Sequence, residues 1–135
     1  MTKTFGKFAL GLLVFSGLGC GAQQKATPSD VPKYDVASQQ TISGTIQEVK
    51  DYPCPVSGSL GTHLAIKAGS EILEAHLAPA AFVKEYGLIS FKVGDSVKVV
   101  GVRAMLDGKP AILVREITVG AVTATFRDGK GRPAW

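Results

Sequence analysis

Both histidines of the chain, His63 and His76, fall in two short alternating runs, Thr62 to Ala68 and Glu71 to Leu77, separated by Gly69-Ser70. Glycine followed by serine is the chemistry of a two-residue hairpin turn, because glycine tolerates the positive φ such turns require. With that turn Ala68 faces Glu71, so His63 faces His76, Ala65 faces Glu74 and Lys67 faces Ile72 on one side of the hairpin. The other side pairs Leu64 with Ala75 and Ile66 with Leu73, an apolar face that belongs inside. Directly opposed residues have Cβ atoms about 4.5–5.5 Å apart, and Glu74 is the same-face neighbour of His76. Paired imidazoles beside a carboxylate present lone pairs at the spacing that one zinc or copper ion needs, and such a pair also suits a haem-type iron. Cys54, in Tyr52-Pro53-Cys54-Pro55, offers a sulfur to complete the set.

A plainer reading stands beside this one. Histidines on a hairpin surface are often only solvated, a one-residue change of turn length separates the pair, and Cys54 reads as a thiol packed between prolines. Nothing local in the sequence gives Cys54 the neighbouring base that a nucleophilic thiol needs. No glycine loop with lysine and serine for phosphate, no serine elbow and no paired-cysteine metal motif occurs either. The sequence therefore reads as a non-enzyme.

The elements that position these residues follow from period and punctuation. Thr41 to Lys50 alternates as a first strand, and a loop rich in Pro, Ser and Gly spans 51–61. The His hairpin supplies strands two and three. Ala78-Pro79 through Tyr86-Gly87 changes period, with proline in the first turn and glycine at the end, and predicts one short helix. Ser96 to Val102 and Ala111 to Ile117, joined across Asp107-Gly108, make strands four and five. Thr123 to Phe126 suggests a sixth short strand, in an extension beginning near 119 whose Trp135 packs back on the domain. Asp95, Asp107 and Asp128 sit beside glycine in turns, where their side chains bond the local backbone.

Three strands, a helix and two strands resemble the oligonucleotide/oligosaccharide-binding barrel, and Gly94-Asp95-x-Val97-x-Val99-x-Gly101 resembles the opening of its fourth strand. The resemblance covers 41 to about 118 and implies an all-β fold: a small five-stranded Greek-key barrel with one helix between strands three and four. It further implies a ligand face on the outside of strands two and three, flanked by the one-two and four-five loops. Carried onto this chain, that face holds His63, His76, Glu74, Lys67, Tyr52, Cys54 and Lys109. Residues 41–135 are also similar to exported bacterial proteins with this barrel, some ending in an arginine-aspartate turn, proline and a terminal tryptophan, as Arg127-Asp128 to Pro133-Ala134-Trp135 does here.

The address is read from the first twenty residues. Lys3 and Lys7, an apolar stretch from Phe8 to Phe15 and small residues up to Gly19 make a secretory signal over 1–19. Gly19-Cys20 resembles a lipobox, in which Cys20 is acylated; Gly17 departs from the leucine usual there, which leaves ordinary cleavage open. Residues 20–40 lack a sustained apolar period and read as a tether between lipid and domain. The expected location is the cell envelope, lipid-anchored and facing the periplasm. With Cys20 acylated, Cys54 is the remaining cysteine and has no intramolecular partner.

Composition narrows the partners. The formal charge is +4 over 135 residues, and setting aside Lys3 and Lys7 leaves thirteen basic side chains against eleven acidic ones. Such balance does not suit a polyphosphate coat, and strands two and three carry no aromatic ring on which a base would stack. Nucleic acid is not expected. The leading functional expectation is a small ligand- or protein-binding module with no cofactor. Its rivals are a zinc-, copper- or haem-handling protein using His63, His76, Glu74 and Cys54, and a structural bridge between envelope proteins.

Overall fold

The computed structural model describes residues 31–135 apart from residue 88. The expected signal over 1–19, the expected lipidation site Cys20 and the first part of the expected tether lie outside the described residues. Strand β1 (Gln40–Cys54) is followed by β2 (Ser59–Ala68), β3 (Glu71–Pro79), helix α1 (Ala80–Tyr86), β4 (Ser96–Leu106), β5 (Lys109–Val119) and β6 (Val122–Thr125). The chain is thus all-β, with its helix between the third and fourth strands as expected.

One strand turns the sheet into a ring. The first half of β1, Gln40 to Thr45, pairs with β4, and its second half, Thr45 to Cys54, pairs with β2. The change of partner coincides with a bulge between Ile46 and Glu48, which bends the strand and sharpens its twist. Strands β4 and β5 are antiparallel, and β5 meets β3 in parallel through Glu74↔Ala111, Ala75↔Ile112 and His76↔Leu113. The ring order is therefore β1-β2-β3-β5-β4, with β6 added to the second half of β5.

Inside it, the alternating positions of every strand converge on Ile46, Leu64, Ile66, Ala75, Val97, Val99, Ile112, Val114 and Ile117. Helix α1 closes one end by laying Phe82, Val83 and Tyr86 on this core. It starts directly after Pro79 and stops at Gly87, whose φ of 59° is the left-handed cap that glycine adopts without a Cβ penalty. The anticipated helix was longer at its front because proline in a first turn and proline at a strand end look alike in sequence; Ala78 and Pro79 belong to β3.

The largest departure from the sequence reading is the segment 51–61. It was expected to be a loop, yet Asp51↔Thr62, Tyr52↔Gly61, Pro53↔Leu60 and Cys54↔Ser59 continue the β1–β2 ladder, leaving only residues 55–58 as the connection. Proline and glycine read as loop, but the fixed φ of proline is compatible with an extended strand where its missing N–H is not needed.

The two flanks of the barrel are clasped together. After β6, Phe126 is fully buried, Arg127 is buried, and Arg127 stacks between the rings of Tyr34 and Trp135, 5.3 and 5.1 Å from their centroids. Its Nη1 donates to the Gly131 carbonyl at 3.0 Å. Asp128 holds the turn by accepting from the backbone N–H of Lys130 and Arg132, as its place beside glycine suggested. Trp135 also packs on Phe82 and the core, as expected.

At Gly101, on the second bulge of the ring, the β4 and β5 backbones approach so closely that an added Cβ would fall on the Leu113 carbonyl oxygen. Gly101→Ala is accordingly expected to lower stability by about 1–3 kcal/mol, the usual range for overpacking. Urea unfolding of the two proteins checks this, and equal midpoints would show that the backbones have room there.

Candidate metal centre

The Gly69–Ser70 turn, with Gly69 at φ 64°, sets the hairpin register expected from the sequence: Leu64↔Ala75, Ala65↔Glu74, Ile66↔Leu73 and Lys67↔Ile72, with His63 opposite His76. The imidazoles meet edge to face, ring centroids 4.5 Å apart at 89°. Because β1 continues alongside β2 as a strand, Tyr52 and Cys54, two residues apart, point to the same face as His63 and His76. Tyr52 stacks flat on His63 with centroids 3.7 Å apart, and Cys54 Sγ lies 3.3 Å from His76 Nδ1.

Gly61 makes this convergence feasible. A Cβ there would stand 3.1 Å from Cys54 Cβ and 3.2 Å from His63 Cε1, so only glycine lets thiol and imidazole close over the strand. The glycine within a strand was the sequence signal for this approach, masked because 51–61 read as loop. Val56, Leu77, Ala78 and Trp135 wall the space around the cluster, which has no room for a water molecule.

Burial is the feature the sequence reading did not anticipate. The outer face of the hairpin was expected to be solvated, but His63 is 1% exposed, His76 7% and Cys54 5%. The reason is tertiary packing: β1 pairs beside β2 and brings Tyr52 and Cys54 onto this face, β5 flanks β3, and Trp135 returns from the far end of the chain. Neither ring nitrogen of His63 makes a hydrogen bond of good geometry, the Gly61 backbone offering only a weak one. Burial pushes the pKa of His63 down to about 4, the nearby backbone of Gly61 opposing this only in part. Burial also lowers His76 to about 4, with His63 adding to the effect. Both rings are neutral near pH 7, the protonation state in which imidazole offers a lone pair.

Ligand-capable atoms of Cys54, His63 and His76 all lie within 4.8 Å of one another. Glu74 is placed differently from the expectation that grouped it with them. Its Oε1 lies 3.7 Å from Nε2 of His76, on the opposite edge of the ring from the thiol. At that distance the carboxylate is beyond hydrogen-bond reach of the ring, and it stands outside the group formed by Cys54, His63 and His76. Lys67 is exposed beside a shallow surface depression with Ser43, Thr45 and Lys98, and Lys109 is exposed at the start of β5; neither lines the space around the cluster.

Residues 38–124 match the MamS/MamX magnetosome protein family, which is more than half of the chain. The chain belongs to that family. The MamS/MamX match runs from the turn before β1 into β6 and takes in Tyr52, Cys54, Gly61, His63, Glu74 and His76. No curated protein matches the chain. Among the described residues of this MamS/MamX domain, no helix is long and apolar enough to cross a membrane.

The lowered histidine pKa values carry a sign that can be checked in the metal-free MamS/MamX chain. Unfolded histidines titrate near 6.5 and the folded ones near 4, so between these values the unfolded state binds more protons. Stability is expected to fall as pH drops from 6.5 to 4 and to level off below, by on the order of 3 kcal/mol per ring. Denaturant midpoints at pH 7.5 and 4.5 measure it, and replacing His63 by Gln should flatten the dependence. A native-protein midpoint indifferent to pH would refute the burial of the neutral pair.

Proposed function

We propose that this MamS/MamX domain is a non-enzymatic transition-metal-binding module whose ligands are Cys54, His63 and His76, carried at the membrane surface by a lipid on Cys20. The observation that carries the reading is His63. A buried imidazole whose nitrogens lack well-formed hydrogen bonds costs up to roughly 1–3 kcal/mol, and a side chain of similar shape with no polar atoms would avoid that cost. A thiol and a second imidazole stand within bonding reach of the same point, and a metal ion is the group that satisfies all three. The donor types support it as well, since a thiolate and imidazoles suit zinc, copper and iron. So does the magnetosome family, which suggests a metal-related setting.

The walls favour binding over catalysis. A catalytic metal keeps a position open for water or substrate, and the space walled by Val56, Leu77, Ala78 and Trp135 leaves little room for one. Nδ1 of His76 faces the Cys54 thiol, so it is the ring nitrogen placed to share an ion with Cys54. Titration of the full chain with zinc(II) and with copper(I), followed through the two histidine ring signals by NMR, tests the reading. One ion should shift both rings together at one equivalent and protect Cys54 from a thiol reagent. His63→Ala should weaken that binding at least tenfold while the backbone spectrum stays folded. Ring signals unmoved by either ion would remove the proposal.

A further inference from the structure

Resting on the reading just given, we infer that the ion this centre selects is copper(I), held by three ligands and no more. The first argument is coordination number. Cys54, His63 and His76 are the one such donor group among the described residues, and Glu74 faces the far edge of His76 from the thiol, so it is no fourth ligand when Nδ1 binds. Water is disfavoured in the fourth position, because the space lined by Leu77, Ala78, Val56 and Trp135 holds no volume of water size. Zinc takes four ligands in tetrahedral sites, and non-haem iron(II) sites combine imidazoles with a carboxylate and keep open positions. Copper(I) has a filled d shell, prefers soft donors such as thiolate, and is content with three.

The second argument is charge. The thiolate of Cys54 with copper(I) makes a neutral centre inside the dry cavity, whereas a divalent ion leaves one uncompensated positive charge there. Glu74, whose side chain is 21% exposed, is the nearest carboxylate to His76 and keeps contact with solvent. It does little to neutralise the cavity. Stacking of Tyr52 on His63 and the approach over Gly61 hold the other imidazole against adding further ligands by swinging outward.

The test is a competition under anaerobic conditions. The full chain is mixed with copper(I) held by the chromophoric chelator bathocuproine disulfonate, and zinc(II) is then added in excess. The chain is expected to withdraw one equivalent of copper(I), with zinc displacing it only at about a thousandfold excess or more, a difference of three decades in affinity. X-ray absorption of the copper form should show one sulfur and two nitrogen neighbours, Cys54→Ser should lose the sulfur, and Glu74→Gln should change the zinc-to-copper preference by less than tenfold. Displacement by near-stoichiometric zinc, a fourth light-atom neighbour, or a preference that collapses in Glu74→Gln would overturn copper(I) selection and leave a divalent-metal module standing. Failure to bind either ion would overturn both.

Discussion

The pairing of β2 with β3 across Gly69 and Ser70 decides the parity of the whole hairpin. Strand side chains alternate faces, so the same register that sends Leu64, Ile66 and Ala75 into the barrel must send His63 and His76 to the other side. A slip of β3 by one residue would turn His76 and Glu74 into the aliphatic core and Leu73 and Ala75 out of it. The apolar core therefore guards the geometry of the polar cluster without touching it chemically, and the free energy that holds the histidines together is mostly that of burying their neighbours.

Around this hairpin the rest of the ring acts by confinement. Strand β1 contributes Tyr52 and Cys54 only because it runs on past its bulge as a partner of β2, and β5 hems His76 from the other side by pairing in parallel with β3. Each contact on the cluster comes from a different stretch of chain: Cys54 from the end of β1, His63 from β2, His76 from β3 and Trp135 from beyond β6. The cluster is consequently a product of the closed barrel and would not survive in the isolated hairpin.

What could be read from the residues and what could not separates along the same line. Period and turn chemistry are local, and they placed the strands, the helix and the His63–His76 pair. Tyr52 and Cys54 were correctly associated with that face but given to a loop, because Pro53, Pro55 and Gly61 carry strong loop signals while their strand pairing depends on β2. Burial of the face was illegible for a deeper reason. It depends on the β1–β2 pairing that brings Tyr52 and Cys54 onto this face and on Trp135 arriving from some sixty residues away, and no local pattern encodes either. The different place of Glu74 is likewise a matter of which ring edge it meets, which alternation along a strand does not resolve.

The clasp of Arg127 between Tyr34 and Trp135 joins a residue that precedes the barrel to one that follows it. Mechanically it puts the two flanks of the ring in series with each other rather than with the strands. A pull on the chain ahead of Tyr34 loads the stacked rings and the Gly131 carbonyl bond before it reaches the β1 ladder, and the load passes into the segment that carries Trp135. Tension and wall are thereby one piece of structure: the ring that stacks on Arg127 is the ring that closes over Cys54 and His76.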